Sequence, residues 1–258
     1  MPQKSETYFS TTIEKGLKIL SLFNQDRNKF SLSEISRLTK INKTSSYRFV
    51  NTFLELGFLR KNPETKMISL GPKAIALGHG FLRGFDLLEV IKPIVDNAVK
   101  TYKATVDVAL LDGDALLIVY RRETGNTLTY RLPTVTRSLH CSAIGKSVLA
   151  FLPEDQLAEM IKLSPLVRKT QNSIVNQQKL LEELRTIRKH GYAINREEFI
   201  IGLIAIGAPL INIGSERAVG AVSFDFPTPQ ISIHEMEKKY AEAILELARE
   251  ISDVLPIL

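Results

Sequence analysis

The sequence predicts an α+β protein: an N-terminal winged helix-turn-helix domain, a linker helix, and a C-terminal domain built on an antiparallel sheet. Three observations carry that expectation. Between Phe30 and Leu70, two short amphipathic segments separated by a turn are followed by two short β-rich runs around a polar turn. From Thr105 onward, β-rich runs alternate with amphipathic stretches, the pattern of helices packed on an antiparallel sheet. Charge divides the chain in the same place: residues 1–83 carry 14 Lys and Arg against 6 Asp and Glu, a net +8, whereas residues 84–258 carry 20 against 22. A basic excess confined to the helix-turn-helix is what phosphate binding requires.

Residues 1–10 are polar and read as a flexible arm, without the apolar core of a signal peptide. Thr11 or Thr12 caps a helix reaching about Asn24, with Ile13, Leu17, Leu20 and Phe23 on one stripe that packs beneath the helix-turn-helix. Ser31 and Glu34 have capping-box spacing and start a short helix whose inner stripe is Leu32, Ile35 and Leu38. After a turn over 39–42, Asn42 caps the next helix, Lys43 to Leu56. Ser46, Val50, Phe53 and Leu54 share its inner face, and Thr44, Tyr47, Arg48 and Asn51 share another. Lys43, Thr44, Ser45, Tyr47, Arg48 and Asn51 offer donors for phosphates and guanine, an amide for adenine and hydroxyls for either, so this is the expected recognition helix. Phe58 to Lys61 and Lys66 to Leu70 form a wing around the turn Asn62-Pro63-Glu64-Thr65, with Lys61 and Lys66 placed to touch flanking DNA. The expected divisions are therefore the arm over 1–10, the winged helix-turn-helix over 11–70, the linker helix over 71–84 and the second domain over 85–258.

In the second domain Phe85 to Tyr102 is helical by the spacing of Leu88, Ile91, Val95, Ala98 and Val99. Thr105 to Leu111 and Ala115 to Arg121 flank Asp112-Gly113-Asp114, a hairpin signal, and Asn126 to Leu132 reads as a third strand. Helices follow over Ser142 to Phe151, Glu154 to Leu163 and Asn176 to His190. Three strands, Gly191 to Arg196, Leu203 to Ile211 and Ala218 to Phe226, precede a closing helix over Ser232 to Leu255.

Composition and motifs argue against several functions. A single cysteine, Cys141, excludes an internal disulfide framework and suits a reducing cytoplasm, and no apolar run is long enough for a membrane helix. Ile144-Gly145-Lys146-Ser147 ends like a phosphate-binding loop, but His140 stands where the first glycine is needed; Gly78-His79-Gly80 lacks the third glycine of a dinucleotide fingerprint at Arg83. The histidines, His79, His140, His190 and His234, are scattered; His140 and Cys141, as strand neighbours, would point to opposite faces and share no ion. Glu197-Glu198 reads as a solvated turn or helix-end charge rather than an acid/base pair. The expectation is no catalytic residue, no metal and no cofactor.

Glu14-x2-Leu17-x-Ile19-Leu20, Lys43-Thr44-Ser45-Ser46-Tyr47-Arg48, Leu139-His140-x2-Ala143-Ile144-Gly145-Lys146, Gly191-Tyr192, Glu197-Glu198-x3-Gly202 and Ala208-Pro209 follow one another in this order. The sequence so resembles the IclR-type transcriptional regulators of prokaryotes from about Thr12 to Leu255. The resemblance implies a GAF-like effector-binding and oligomerisation domain after the linker, and a homodimer or homotetramer acting on a partly palindromic double-stranded DNA operator. It also implies a small-molecule site formed by Ala143, Ile144, Gly145, Asn195, Leu203, Ala205, Ser223 and Asp225. Asn195 stands where an acid is common, Ala205 where a cysteine is common, and Asp225 where a small hydroxyl residue is common. The glycine and proline common before Leu139 are absent.

The expected function is a cytoplasmic, sequence-specific DNA-binding regulator controlled by a carboxylic or sugar-acid effector. Alternatives are an enzyme using Glu197 or Glu198 as base behind an N-terminal DNA- or protein-binding module, and a winged helix that binds protein instead of DNA.

Overall fold

The computed structural model describes residues 8–23, 27–74, 87–124, 135–212, 214–228 and 230–255. The chain divides into two units, Met1–Phe85 and Asp86–Leu258.

The first unit contains α1 (Thr11–Leu20), α2 (Leu32–Thr39), α3 (Lys43–Glu55), β1 (Leu59–Lys61) and β2 (Ile68–Leu70). Its core joins Ile19, Phe23 and Phe30 to Ile35, Val50, Leu59 and Ile68. Helix α1 differs from its sequence reading in three ways. Ser10, not a threonine, caps it by accepting from Ile13 N at 3.3 Å, and it ends at Leu20, four residues early. Ile13 and Leu17 are 63% and 57% exposed, so the stripe does not pack beneath the other helices as a whole. Gly16 and Ile19 take the inner side instead, because a residue without a side chain lets the Phe53 ring come close: a Cβ on Gly16 would lie 3.1 Å from Phe53 Cζ.

The capping box at α2 is formed as expected, with Glu34 N donating to Ser31 Oγ at 3.3 Å and Ser31 N donating to Glu34 Oε2 at 2.9 Å. Its inner stripe is corrected at one position. Leu38 is exposed and Thr39 is buried, since Thr39 Oγ1 donates to Ile35 O at 2.7 Å and satisfies its hydroxyl inside the helix. The wing strands pair with Leu59 opposite Leu70 and Lys61 opposite Ile68, and Phe30 adds a bridge to Ile68.

The second unit runs α4 (Leu87–Tyr102), β3 (Thr105–Asp112), β4 (Ala115–Arg122), β5 (Val135–Thr136), a 3-10 turn at Leu139–Cys141, α5 (Ala143–Phe151), α6 (Glu154–Leu163), α7 (Gln177–His190), β6 (Ala193–Arg196), β7 (Leu203–Asn212), β8 (Arg217–Pro227) and α8 (Ile233–Val254). Six strands lie in the order β5-β4-β3-β8-β7-β6, each antiparallel to its neighbours. The third strand expected over 126–132, and most of the linker helix expected over 71–84, lie outside the described residues. The 3-10 turn replaces the strand assumed for His140 and Cys141, and both residues are buried there. Burial raises the Cys141 thiol to about 12 and lowers His140, whose Nε2 donates to Val167 O at 3.0 Å. Among the described residues no group of His, Cys, Asp and Glu could hold a metal, and no helix is long and apolar enough to cross a membrane.

The strand period of two sorts the sheet into two faces. One receives α8, where Phe224 and Phe226 meet Tyr240 with ring centroids 5.8 and 4.8 Å away, and Tyr102 at the end of α4 completes the cluster. The other receives α5, whose Val148 and Leu149 share a core with Leu180, Leu184 and Ile187 of α7.

Candidate DNA-reading surface and ligand cleft

The Asn42 cap decides where α3 begins, and that start decides which side chains share its outer face. Asn42 Oδ1 accepts from Ser45 N at 2.8 Å, and the buried Ser46 hydroxyl donates to Ile41 O at 3.2 Å, fastening the first turn to the preceding residues. Lys43, Thr44, Tyr47 and Arg48 are then exposed, while Ser45 and Asn51 are half-buried. All six sequence-predicted residues occupy the first nine positions of one helix, whose N-terminal dipole adds to their attraction for phosphate. On the wing Lys61 and Lys66 are exposed, and Lys66, with φ +58°, donates to Pro63 O at 2.6 Å. The hairpin tip is held by Asn62 Oδ1, which accepts from the N–H groups of Glu64 and Thr65 at 2.9 and 2.8 Å.

In the second unit α5 stands with its N-terminus over the sheet. Ser142 Oγ accepts from Gly145 N at 3.1 Å, and Ser147 Oγ donates to Gly207 O of β7 at 2.8 Å. Lys146 is wholly buried, and its Nζ donates to Glu198 Oε1 and Ile194 O, both at 2.7 Å, and to Glu183 Oε1 at 3.1 Å. The lysine and serine that look like a phosphate loop therefore act as internal fasteners. Glu197-Glu198 is not the solvated turn read from the sequence. Glu198 is buried against Lys146, and Glu197, with φ +57°, accepts from Gly202 N and Thr228 Oγ1, both at 2.8 Å. Opposite charge and local donors stabilise the two carboxylates where solvent was expected.

A cleft with about 440 Å³ of space, its open mouth included, lies between the α5 N-terminus and the sheet. Ala143, Ile144, Asn195, Leu203, Ala205, Ser223 and Asp225 line it, seven of the eight residues that the resemblance pointed to. Gly145 does not. Its N–H is taken by Ser142, and its Cα is pressed on the preceding turn so closely that a Cβ would lie 2.2 Å from Leu139 O. Ser142, Thr136, Ile118, Phe199 and Asp107 complete the walls. Register explains the grouping: Asn195 pairs with Ala205, Ala205 with Asp225, and Ser223 with Asp107.

Asp107 and Asp225 are both buried, and Asp107 Oδ2 accepts from Arg121 Nη1 at 2.7 Å while Asp225 Oδ1 accepts from Ser223 Oγ at 2.8 Å. Burial pushes both carboxyls above the usual range, Asp107 further because the Asp225 charge adds to it; Arg121 opposes the shift. Asp107 escaped sequence reading, although an acid inside Val106-Asp107-Val108-Ala109 signals a polar demand at the centre of an apolar strand.

Two descriptions of known families match: "IclR helix-turn-helix domain" over residues 12–63 and "Bacterial transcriptional regulator IclR C-terminal" over residues 79–253. The chain belongs to the IclR family. Among its relatives, the HTH-type transcriptional regulator BhcR of Paracoccus denitrificans is 30% identical over 241 residues, 93% of this chain and 85% of BhcR. The crystal structure of the Thermotoga maritima IclR is 30% identical with a TM-score of 0.67, covering 94% of this chain and 97% of the other. An IclR homolog from Microbacterium hydrocarbonoxydans, solved with 4-hydroxybenzoate, shares the fold at a TM-score of 0.74 and 20% identity, covering 94% and 98% of the two chains. This IclR-family protein is a DNA-binding transcriptional regulator and not an enzyme.

Proposed function

We propose that this regulator reads a partly palindromic operator through α3 and the wing of paired protomers, and that a small carboxylic or sugar-derived acid in the cleft controls it. The observation that carries the reading is the donor-bearing outer face of α3, with Lys43, Thr44, Tyr47 and Arg48 exposed on one side of a capped helix. In this reading Arg48 takes guanine or phosphate, Lys43 phosphate, Thr44, Ser45, Tyr47 and Asn51 backbone or base edges, and Lys61 and Lys66 the flanking DNA. The segment over 11–70 is the reading head, 71–84 the linker, and 85–258 the effector and oligomerisation domain. The outward Ile13 and Leu17 of α1 support a homodimer or tetramer, because a second copy would cover them. The protein works in the cytoplasm, where operator and metabolite meet.

An acid in the cleft is supported by the N-terminus of α5, where a helix favours an anion, and by the 4-hydroxybenzoate held by a protein of the same fold. Two recognition helices must meet major grooves roughly 34 Å apart, so a small change in protomer spacing weakens simultaneous contact. The test is a binding selection against random duplexes at near-physiological salt, with the Arg48→Ala protein alongside. An enriched inverted repeat that the variant loses supports the reading; sequence-blind binding by the unaltered protein overturns it.

A further inference from the structure

The cleft has two ends of opposite hydrogen-bonding character. At the α5 end, the first intrahelical bond is made by Lys146 N to Ser142 O at 2.9 Å, so the N–H groups of Ala143 and Ile144 precede the ladder, and Ser142 Oγ serves Gly145 rather than either of them. That end receives an acceptor. The sheet end is made of acceptors: Asp225, and Asp107, whose side chain is 2% exposed and whose Oδ1 is buried without a hydrogen-bond partner among the described residues. Ile118, Phe199 and Leu203 wall the space between with apolar groups.

The geometry points to a ligand that is a carboxylate at one end and carries adjacent hydroxyl groups at the other, with Asp107 and Asp225 selecting for those hydroxyls. This deepens the proposed control by an acid and rests on it for the place of the carboxylate. An ammonium group in place of the hydroxyls fits less well. The Asp107 carboxylate already has the Arg121 guanidinium at 2.7 Å, and burial pushes both carboxyls toward their neutral form, so an ammonium would find little unmatched charge. A hydroxyl can donate to the unpartnered Asp107 Oδ1, and a site whose buried polar groups need a hydroxyl rejects the analogue lacking it.

The test is calorimetric titration of the full-length protein, without DNA, by gluconate and glycerate, by their deoxygenated counterparts hexanoate and propionate, and by serine. At least one hydroxy acid is expected to bind tenfold or more tightly than its counterpart. Asp225→Ser and Asp107→Asn should each bring that preference below threefold; thermal unfolding checks that each variant is folded, and Asp225→Ser keeps the Arg121 partner intact. Equal affinity for the deoxygenated acids, serine tighter than glycerate, an undiminished preference in a folded variant, or no binding of any of the acids overturns the inference. Equal affinity for the deoxygenated acids overturns the hydroxyl selection alone, whereas no binding of any acid overturns the proposed control by an acid with it.

Discussion

The Lys146 ammonium lies 2.7 Å from the Glu198 carboxylate with no exposure to water. An ammonium has three protons, and here each finds an acceptor: Glu198, Ile194 O and Glu183. The contact ties α5 to α7, to β6 and to the turn after it.

Removing one member leaves a buried charge without its partner. Lys146→Met is therefore expected to destabilise the second unit by about 3 to 5 kcal/mol, and replacing Glu198 by Met in the same protein should recover part of that loss, as measured by urea unfolding. A double variant no better than Lys146→Met would show that the lysine acts through packing alone.

Arg48→Ala should weaken operator binding by about 1 to 3 kcal/mol and relax sequence preference where Arg48 meets a base. Lys61→Ala, at a proposed phosphate contact, should weaken all duplexes alike and lower the salt slope by about 1. Titrations at several salt concentrations separate the two behaviours.

Gly145→Ala places a methyl group against Leu139 O, where there is no room. The helix start or the 3-10 turn must move, at a cost of roughly 1 to 3 kcal/mol or more. Because the same helix start lines the cleft, acid binding should weaken along with the unfolding midpoint; unchanged titrations would uncouple the two.

Three acidic groups shifted in opposite directions give stability two pH dependences. Glu34 is held at about 2, first by the Ser31 backbone donor and then by Arg27, so its contribution is present above its ordinary value near 4.5 and fades as pH falls through about 2. Glu34→Gln should flatten that acid loss in the first unit. Asp107 and Asp225 are raised, so their effect has the opposite sign: full stability below the usual carboxylate range, declining as pH rises through the folded values. Asp225→Asn should therefore gain on the unaltered protein as pH increases, in unfolding curves taken from about pH 4 to 8.

Helix starts were legible because capping is local chemistry. Ser31 and Asn42 cap the helices they were expected to cap, and at α1 Ser10 takes the place of Thr11 or Thr12, a shift of one or two residues. What the sequence did not reveal depends on partners distant along the chain. Periodicity put Ile13 and Leu17 on an apolar stripe but could not tell that Gly16 would turn the neighbouring side toward Phe53. Glu198 looked like surface charge because its partner Lys146 is 52 residues away. The cleft residues came from family resemblance, and Asp107 was missed because only strand register sets it opposite Ser223.

The alternation of β7 and β8 separates two tasks along the same stretch of chain. Ala205, Ser223 and Asp225 line the cleft, whereas Phe224 and Phe226 hold α8 in place. In the proposed reading, a codon change at a floor position alters ligand preference while the aromatic packing on the other face is kept, so that preference is the evolvable trait of this sheet and architecture the inherited one.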